Sequence, residues 1–492
     1  MPTEQGDLVG EIRRIVEDAR RLARDSDLDS AIQLAAQRLD EPLRVAIAGR
    51  TKAGKSTLLN ALVGERLAAT DASECTRIVT WYRHAIGYRV TAELQPAGST
   101  DLAFRREDGA LQIELGELSQ DAIERIEVGW PARTLADLTL IDTPGLGSAE
   151  ENSSARTTDA LLDETGDRPG EADAVIYLMR HLHRYDAEFL EAFTDHSLAH
   201  ASPINAIVVL SRADEIGASR PDALESARAV AERYASDRRI RELASSVVPV
   251  AGLIAETGAT LREQQVAWLR QVAGLDAARR ASLLRSVDRF RDPDLNPLGA
   301  DIREELLERL GLFGLRLTVG LLVESATLTA TGLSQALLAT SGIIELQAIL
   351  DDQFAARSDA LKARSALAAL RGIVDELGRR AVPGAAELAA DIERVEAGSE
   401  ELALLRLLHL VLAGQVQVNP DERLEIDRLT GGRPPGERAG LGPDAEPSAI
   451  RAAALAGIEH WRVRAANPLS DRRTVEAAEI IIRAYEQLHA TA

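Results

Sequence analysis

The sequence predicts an α/β domain, a mostly parallel sheet with helices on both faces, joined to an α-helical bundle. Three observations carry this. Short apolar runs of strand length, "LRVAIAG" (43–49), "LTLIDTPG" (138–145), "ADAVIYLM" (172–179), "INAIVVLS" (204–211) and "SVVPVAG" (246–252), alternate with helical stretches. The strand signal stops after about residue 255, and long helical patterns replace it. Aromatic residues make up only 3% of the chain, a composition that suits helices packed through aliphatic stripes.

Each element follows in order. Leu8, Ile12, Ile15, Val16, Ala19, Leu22 and Ala23 share one helical face, and a second helix covers 29–39 after the turn "DSDLDS", with Pro42 ending it. Residues 1–40 are thus N-terminal helices expected to join the bundle. The α/β domain is expected over 41–357. Its stretches "RIVTWYRH" (77–84) and "YRVTAEL" (88–94) read as a strand pair, and a helical insert is expected at about 256–340. Helical patterns run over 260–287, 299–323, 343–378, 396–413 and 448–488. Residues 358–492 form the C-terminal bundle, with a flexible loop at about 431–447, "GGRPPGERAGLGPDAEP".

Composition excludes several functions. Across 492 residues the net charge is −21, without the basic surplus of a nucleic-acid binder. The single Cys75 rules out an intramolecular disulfide. The N-terminus "MPTEQGDLVG" lacks the basic and apolar regions of a signal peptide, and the longest apolar run, "LTVGLLV" (317–323), falls far short of a spanning helix. The expected location is the cytoplasm, with peripheral contact at the inner face of the cell membrane as the one membrane option, since a local Arg patch can bind anionic lipid.

The chemistry concentrates in "GRTKAGKSTLLNAL" (49–62), which holds two of the chain's three lysines, Lys52 and Lys55. Gly49, Gly54, Lys55 and Ser56 fit G-x-x-x-x-G-K-[ST] between a strand and a helix. In such a loop the glycines let backbone N–H groups converge on phosphate oxygens, and the helix N-terminus adds its positive end. The cradle is Gly49, Thr51, Lys52, Ala53, Gly54, Lys55, Ser56 and Thr57. Lys55 places an ammonium between the β- and γ-phosphates, and Ser56 offers its hydroxyl to Mg²⁺. In "IDTPG", Asp142 ends a strand where it can hold a Mg²⁺-bound water, and the N–H of Gly145 can bond the γ-phosphate. "LSRAD" ends another strand with Ser211, Arg212 and Asp214. A carboxylate there accepts from guanine N1–H and the 2-amino group, which adenine cannot match, so Asp214 selects guanine. Ala251, in "PVAG", offers an N–H to the guanine oxygen. The ligands read from the chain are therefore GTP/GDP and Mg²⁺.

Glycine loop, DTPG, an [ST]-[KR]-x-D strand end and a small-residue turn, in this order, resemble the large GTPases. "SRAD" departs from the usual N/T-K-x-D at Arg212, a side chain that can still stack over the base. "ATDASECTRIVTWYRH" resembles the switch of dynamin-like GTPases, where a Thr before a strand closes on Mg²⁺ and the γ-phosphate. Thr76 fits that role, with Thr70 as the alternative. "SGIIELQAILDDQF" (341–354) resembles the closing helix of such a domain. "ERLGLFGLRLTV" (308–319) and "HWRVRAANPLSD" (460–471) resemble bacterial dynamin-like proteins, and most closely the isoniazid-inducible, IniC-type branch from actinobacteria. The resemblance implies an α/β P-loop GTPase domain and GTP hydrolysis coupled to association with copies of itself or with a dynamin-like paralogue. The alternative is a nucleotide-operated binding partner of a longer paralogue with little turnover of its own. An Era-like ribosome-assembly role is disfavoured by the acidic charge and by the absence of an RNA-binding domain. Membrane remodelling is in doubt, because only about 135 residues follow the GTPase domain. Dynamins place a catalytic Gln where this loop has Thr51, and Ras-type enzymes place a water-orienting Gln straight after the DxxG glycine, where this chain has Leu146. The resemblance also puts a monovalent cation beside the Lys52 position, which implies that the Lys52 ammonium takes that cation's place over the phosphates; the alternative is an exposed loop lysine.

Other signals carry less. His181 and His183 in "MRHLHRY" read as polar loop residues, and Cys75 has no thiolate stabiliser in view. The apolar stretches 402–414 and 310–323 read as buried bundle helices, with a bilayer surface as the alternative.

Overall fold

A computed structural model describes residues 8–24, 28–68, 78–94, 98–107, 110–144, 172–180 and 203–492. Eleven strands occur among them: β1 (Leu43–Gly49), β2 (Thr80–His84), β3 (Arg89–Leu94), β4 (Ser99–Asp101), β5 (Ala103–Glu107), β6 (Ala110–Glu114), β7 (Ile123–Trp130), β8 (Leu138–Asp142), β9 (Ala174–Met179), β10 (Ala206–Ser211) and β11 (Ser246–Val250). Nine form one sheet in the order β11-β10-β9-β1-β8-β2-β7-β3-β4, and β5-β6 is a separate hairpin. The half from β11 to β8 is parallel throughout. Beyond β8 the sheet is mixed, because β2 runs antiparallel to β8 and β3 antiparallel to β7.

The parallel strands are buried on both faces, as their continuous apolar runs require. Along β1, Leu43, Val45 and Ile47 enter a core with Leu58, Leu59 and Leu62 of the helix Lys55–Val63. The alternate residues Ala46 and Ala48 enter a second core with Trp81, Ile141, Val175 and Tyr177. The two-residue period of a strand thus feeds two layers.

The expected strand pair at 77–84 and 88–94 is corrected: β2 and β3 do not pair with each other. β7 lies between them, parallel to β2 and antiparallel to β3. Its sequence "IERIEVGW" alternates apolar and polar residues, so only one side of it carries an apolar signal. The pattern at 299–323 is observed as Ala300–Glu324, and the longest expected patterns are divided. Residues 343–378 split into Ile343–Gln353 and Ser358–Arg379 around a tight turn, and 448–488 into Pro447–Ala466 and Arg472–Thr491. Within 431–447 the chain forms the short helix Pro435–Arg438, and the N–H of Gly432 donates to the carbonyl of Ala356 at 2.6 Å.

Helices after β11 build a separate core. Val266 and Leu269 of Glu263–Ala273 meet there with Leu310 and Leu315 of Ala300–Glu324 and Leu333 of Ala330–Ser341. The helices Leu8–Leu22 and Asp29–Asp40 pack with Ser358–Arg379 and Ala385–Gly398 through Ile12, Ile32, Leu367 and Leu370. The remaining C-terminal helices extend the core of the sheet itself, through Leu405, Leu408, Trp461, Ile481 and Tyr485. Arg357, 1% exposed, fastens this junction by donating to Asp427 (2.6 Å) and to the carbonyl of Thr430 (3.2 Å).

Both apolar stretches weighed above supply core residues: Leu404, Leu405, Leu408 and Leu412 in one, and Leu310, Leu315, Val319 and Leu322 in the other. No single helix among the described residues is long and apolar enough to cross a membrane.

Candidate functional site

Parallel register brings the C-terminal ends of the strands to one edge, where open α/β sheets hold their ligands. Gly49 of β1 lies opposite Leu178 of β9, Ile47 opposite Asp142 of β8, and Ser211 of β10 opposite Val250 of β11. Residues far apart in sequence therefore meet.

The loop after β1 needs its glycines for two different reasons. At Gly49, φ is +146° and a Cβ would stand 2.5 Å from the carbonyl oxygen of Leu178. Gly54 has open space but φ of +97°, the left-handed cap from which the helix Lys55–Val63 starts. That helix presents its first-turn N–H groups to the loop. The ammonium of Lys55 is buried and donates to the carbonyls of Gly49 (3.3 Å) and Arg50 (3.5 Å). Burial pushes its pKa down, and the Asp142 charge opposes that. Ser56 Oγ donates to Asp142 Oδ2 at 3.0 Å. Asp142 Oδ1 is buried with no hydrogen-bond partner among the described residues. Burial raises the Asp142 pKa, while Lys55 and the Ser56 hydroxyl lower it.

A cleft of about 510 Å³, its open mouth included, lies between this loop and the ends of β10 and β11. Ala53, Gly54 and Thr57 line one wall, and Ser211, Arg212 and Asp214 the other. Ser211 Oγ donates to the carbonyl of Met179 at 3.3 Å, tying β10 to β9. Asp214 is buried, and burial first, then the neighbouring Glu215 charge, pushes its pKa up to about 6 against Arg212 and Arg180. Arg212 joins the two walls. Its Nη2 donates to the carbonyl of Lys52 at 3.0 Å and its Nη1 to Glu215 at 2.7 Å. Lys52 and Arg212 both adopt left-handed backbone, with φ of 62° and 54°. A non-glycine residue holds that conformation only when its surroundings impose it. Thr51 is exposed on the loop beside Lys52.

Ala251 requires a correction. Its N–H does not face the cleft; it donates to the carbonyl of Ser341 at 2.9 Å. The next residues, Gly252 and Leu253, line the cleft instead, at the start of the helix Gly252–Thr260. Sequence reasoning missed these two, and it missed Thr143, whose hydroxyl donates to the carbonyl of Ile47 at 2.9 Å and ties the end of β8 to β1. The Thr of "DTPG" was the available signal. Thr76, Thr70, Gly145, Leu146, Cys75, His181 and His183 lie outside the described residues.

At this edge of the sheet lie the glycine loop, the Ser56–Asp142 pair, whose Oδ1 has no partner among the described residues, and, in the cleft beside the loop, the buried Asp214 carboxylate. The family model of the 50S ribosome-binding GTPases matches residues 44–211, from β1 to the end of β10. The isoniazid-induced protein IniC of Mycobacterium tuberculosis is 41% identical over 454 residues, covering 92% of this chain and 90% of that one. The isoniazid-induced protein IniA of the same organism is 31% identical over 170 residues, 32% of this chain and 24% of that one. Dynamin-like protein 2 of Campylobacter jejuni is 30% identical over 128 residues, 26% of this chain and 20% of that one. With the loop, the strand-end carboxylates and an end-to-end likeness of this extent, the chain belongs to the IniC family and carries a GTPase-type domain over residues 44–211.

Proposed function

We propose that the chain hydrolyses GTP to GDP and phosphate with Mg²⁺, and that turnover is coupled to association with copies of itself or with a dynamin-like paralogue. One observation carries the reading: Ala53, Gly54 and Thr57 of the glycine loop and its helix share one cleft with the buried Asp214 carboxylate, and the same helix start holds Ser56 against Asp142. Backbone N–H groups from Thr51 to Thr57 wrap the phosphates. Lys55 exchanges its bonds with the Gly49 and Arg50 carbonyls for phosphate oxygens and neutralises charge there. Asp214 accepts from the guanine N1–H and 2-amino group, and Arg212 covers the base. An N–H of Gly252 or Leu253 replaces that of Ala251 at the base oxygen.

The donor set fits Mg²⁺, because one buried carboxylate oxygen of Asp142, beside the Ser56 hydroxyl, has no partner among the described residues. Ser56, Asp142 and Thr76 would hold it, and bound there it would neutralise charge between the β- and γ-phosphates. Gly145 would bond the γ-phosphate through its N–H. Lys52 brings a second ammonium to the loop, which we assign to charge developing on the transferred phosphoryl group. With Leu146 after Gly145, that position supplies no side-chain group to orient water.

The second reading, a nucleotide-operated partner of a longer paralogue, draws on the partial likeness to IniA, which stops at 24% of that protein. GTP turnover measured against protein concentration, with and without Mg²⁺ and liposomes, separates the two. Specific activity that rises with concentration supports a self-associating GTPase. Turnover that stays negligible at every concentration, with GTP bound, transfers the function to the partner reading. Peripheral contact at the inner face of the cytoplasmic membrane is an extension of the proposal. It fails if the protein does not float with liposomes in any nucleotide state.

A further inference from the structure

Within the helical insert, the helix Ala300–Glu324 is broken at Gly311, whose φ of 60° and ψ of −177° are non-helical. That region of backbone space is open essentially to glycine alone. A Cβ built there meets only Leu253 Cδ1 at 3.9 Å and Asp214 Oδ2 at 4.0 Å. Space is therefore not what demands glycine; the backbone break is. The break falls where the helix passes the Asp214 carboxylate, and a new helical segment starts from that point. The segment before the break is held by the Thr257 hydroxyl, which donates to the carbonyl of Arg309 at 2.5 Å. The segment after it is held by Arg316, whose Nη1 donates to the carbonyl of Ser219 at 2.7 Å, five residues beyond Asp214. Both anchors lie on elements that border the cleft: Thr257 on the helix begun by Gly252 and Leu253, and Ser219 on the chain leaving "SRAD".

We propose that Gly311 is a positioning residue for Asp214: the break it permits starts a helical segment against the carboxylate and holds it, ionised, toward the cleft. A helix start carries unpaired N–H groups and a positive end, which favour an adjacent anion. Asp214 is buried, and an anion taken out of water gains from any positive end placed beside it. The helical insert thereby becomes part of base selection, a role no motif in the α/β sequence assigns to it. This inference rests on the reading of Asp214 as the guanine acceptor.

Calorimetric titration of the full chain with GTP, ATP and inorganic tripolyphosphate tests it, using Gly311→Ala, Asp214→Asn and the double variant. Gly311→Ala is expected to weaken GTP about 5-fold, the scale of a helix end acting on an adjacent anion, while ATP and tripolyphosphate change less than about 2-fold. In the Asp214→Asn background the same substitution should change GTP affinity less than about 2-fold, because its target is gone. Equal weakening of all three ligands, equal weakening of GTP in both backgrounds, or no weakening overturns the inference. Gly320→Ala is the control, since a methyl there meets nothing within 4 Å. If Gly311→Ala loses its helical circular dichroism, Thr257→Val carries the test. It removes the anchor before the break and should shift GTP alone, by about 3-fold. If Asp214→Asn itself keeps a preference for GTP over ATP, the failure lies with the base-acceptor reading rather than with Gly311.

Discussion

Lys52→Gly isolates what the second ammonium of the loop does. Lys52 holds φ of 62°, and a left-handed residue with a Cβ costs about 1–2 kcal/mol relative to ordinary backbone. The hydrogen bond from Arg212 to its carbonyl, 3.0 Å long, is to backbone and is kept in the variant, so it does not enter the difference. Glycine adopts the same φ without the steric cost but loosens the unfolded and free-loop ensemble by about 0.5–1 kcal/mol. The two changes nearly cancel, so GTP affinity should stay within about 3-fold of wild type. The chemical step should not be spared. Removing a donor aimed at developing charge costs about 10²-fold in kcat, close to 3 kcal/mol. Steady-state phosphate release in a buffer free of K⁺ and Na⁺ measures this, and either ion, once added, should restore part of the rate. Lys52→Ser, which keeps the backbone cost, should show the same kcat loss. Wild-type turnover by Lys52→Gly in cation-free buffer refutes the role. A loss of GTP affinity as large as the loss of kcat refutes the claim that only the ammonium matters.

Asp214→Asn should abolish the preference for guanine, read as the ratio of GTP to ATP affinity. Because burial raises the Asp214 pKa to about 6, wild-type GTP affinity should fall as pH drops from 7 to 5, with Glu215, Arg212 and Arg180 the charged groups that bear on that carboxylate. The same shift sets a stability slope. Between pH 3.8 and about 6 the folded chain binds the extra proton, so nucleotide-free stability should decrease as pH rises through that window. Ser56→Ala and Asp142→Asn should each lower Mg²⁺-dependent turnover by about 10²-fold or more; a Mg²⁺ titration curve unchanged in both variants would remove the pair from the metal site. Thr76→Ala should keep GDP binding and lose hydrolysis, because only the γ-phosphate state orders such a switch. The same phenotype in Thr70→Ala, with Thr76→Ala active, moves the role to Thr70.

The candidate site is legible in the sequence because it is written in covalent spacing. Four intervening residues between Gly49 and Gly54 set the loop, and Lys55 and Ser56 follow it into a helix whatever surrounds them. Asp142 and Asp214 stand at strand ends, so their distance from the loop follows once the strands are parallel. Ala251 was misread because an N–H direction depends on a partner far along the chain, the Ser341 carbonyl. The order β2-β7-β3 escaped for a related reason. Strand order is settled by which edges find apolar cover, and alternating residues in β7 announce only one covered side.

What the sequence determined by itself is local: the dihedrals its glycines permit, the period of each element and the spacing of its charged groups. What only the tertiary structure decided is partnership across long separations. It divided the C-terminal helices, giving Ser358–Arg379 and Ala385–Gly398 to the N-terminal pair and the helices after them to the core of the sheet. It also set Gly311 of the insert beside Asp214, far upstream in the chain. Apolar stripes record that a face must be covered; burial is non-directional, so the covering partner is chosen only when all the faces pack at once.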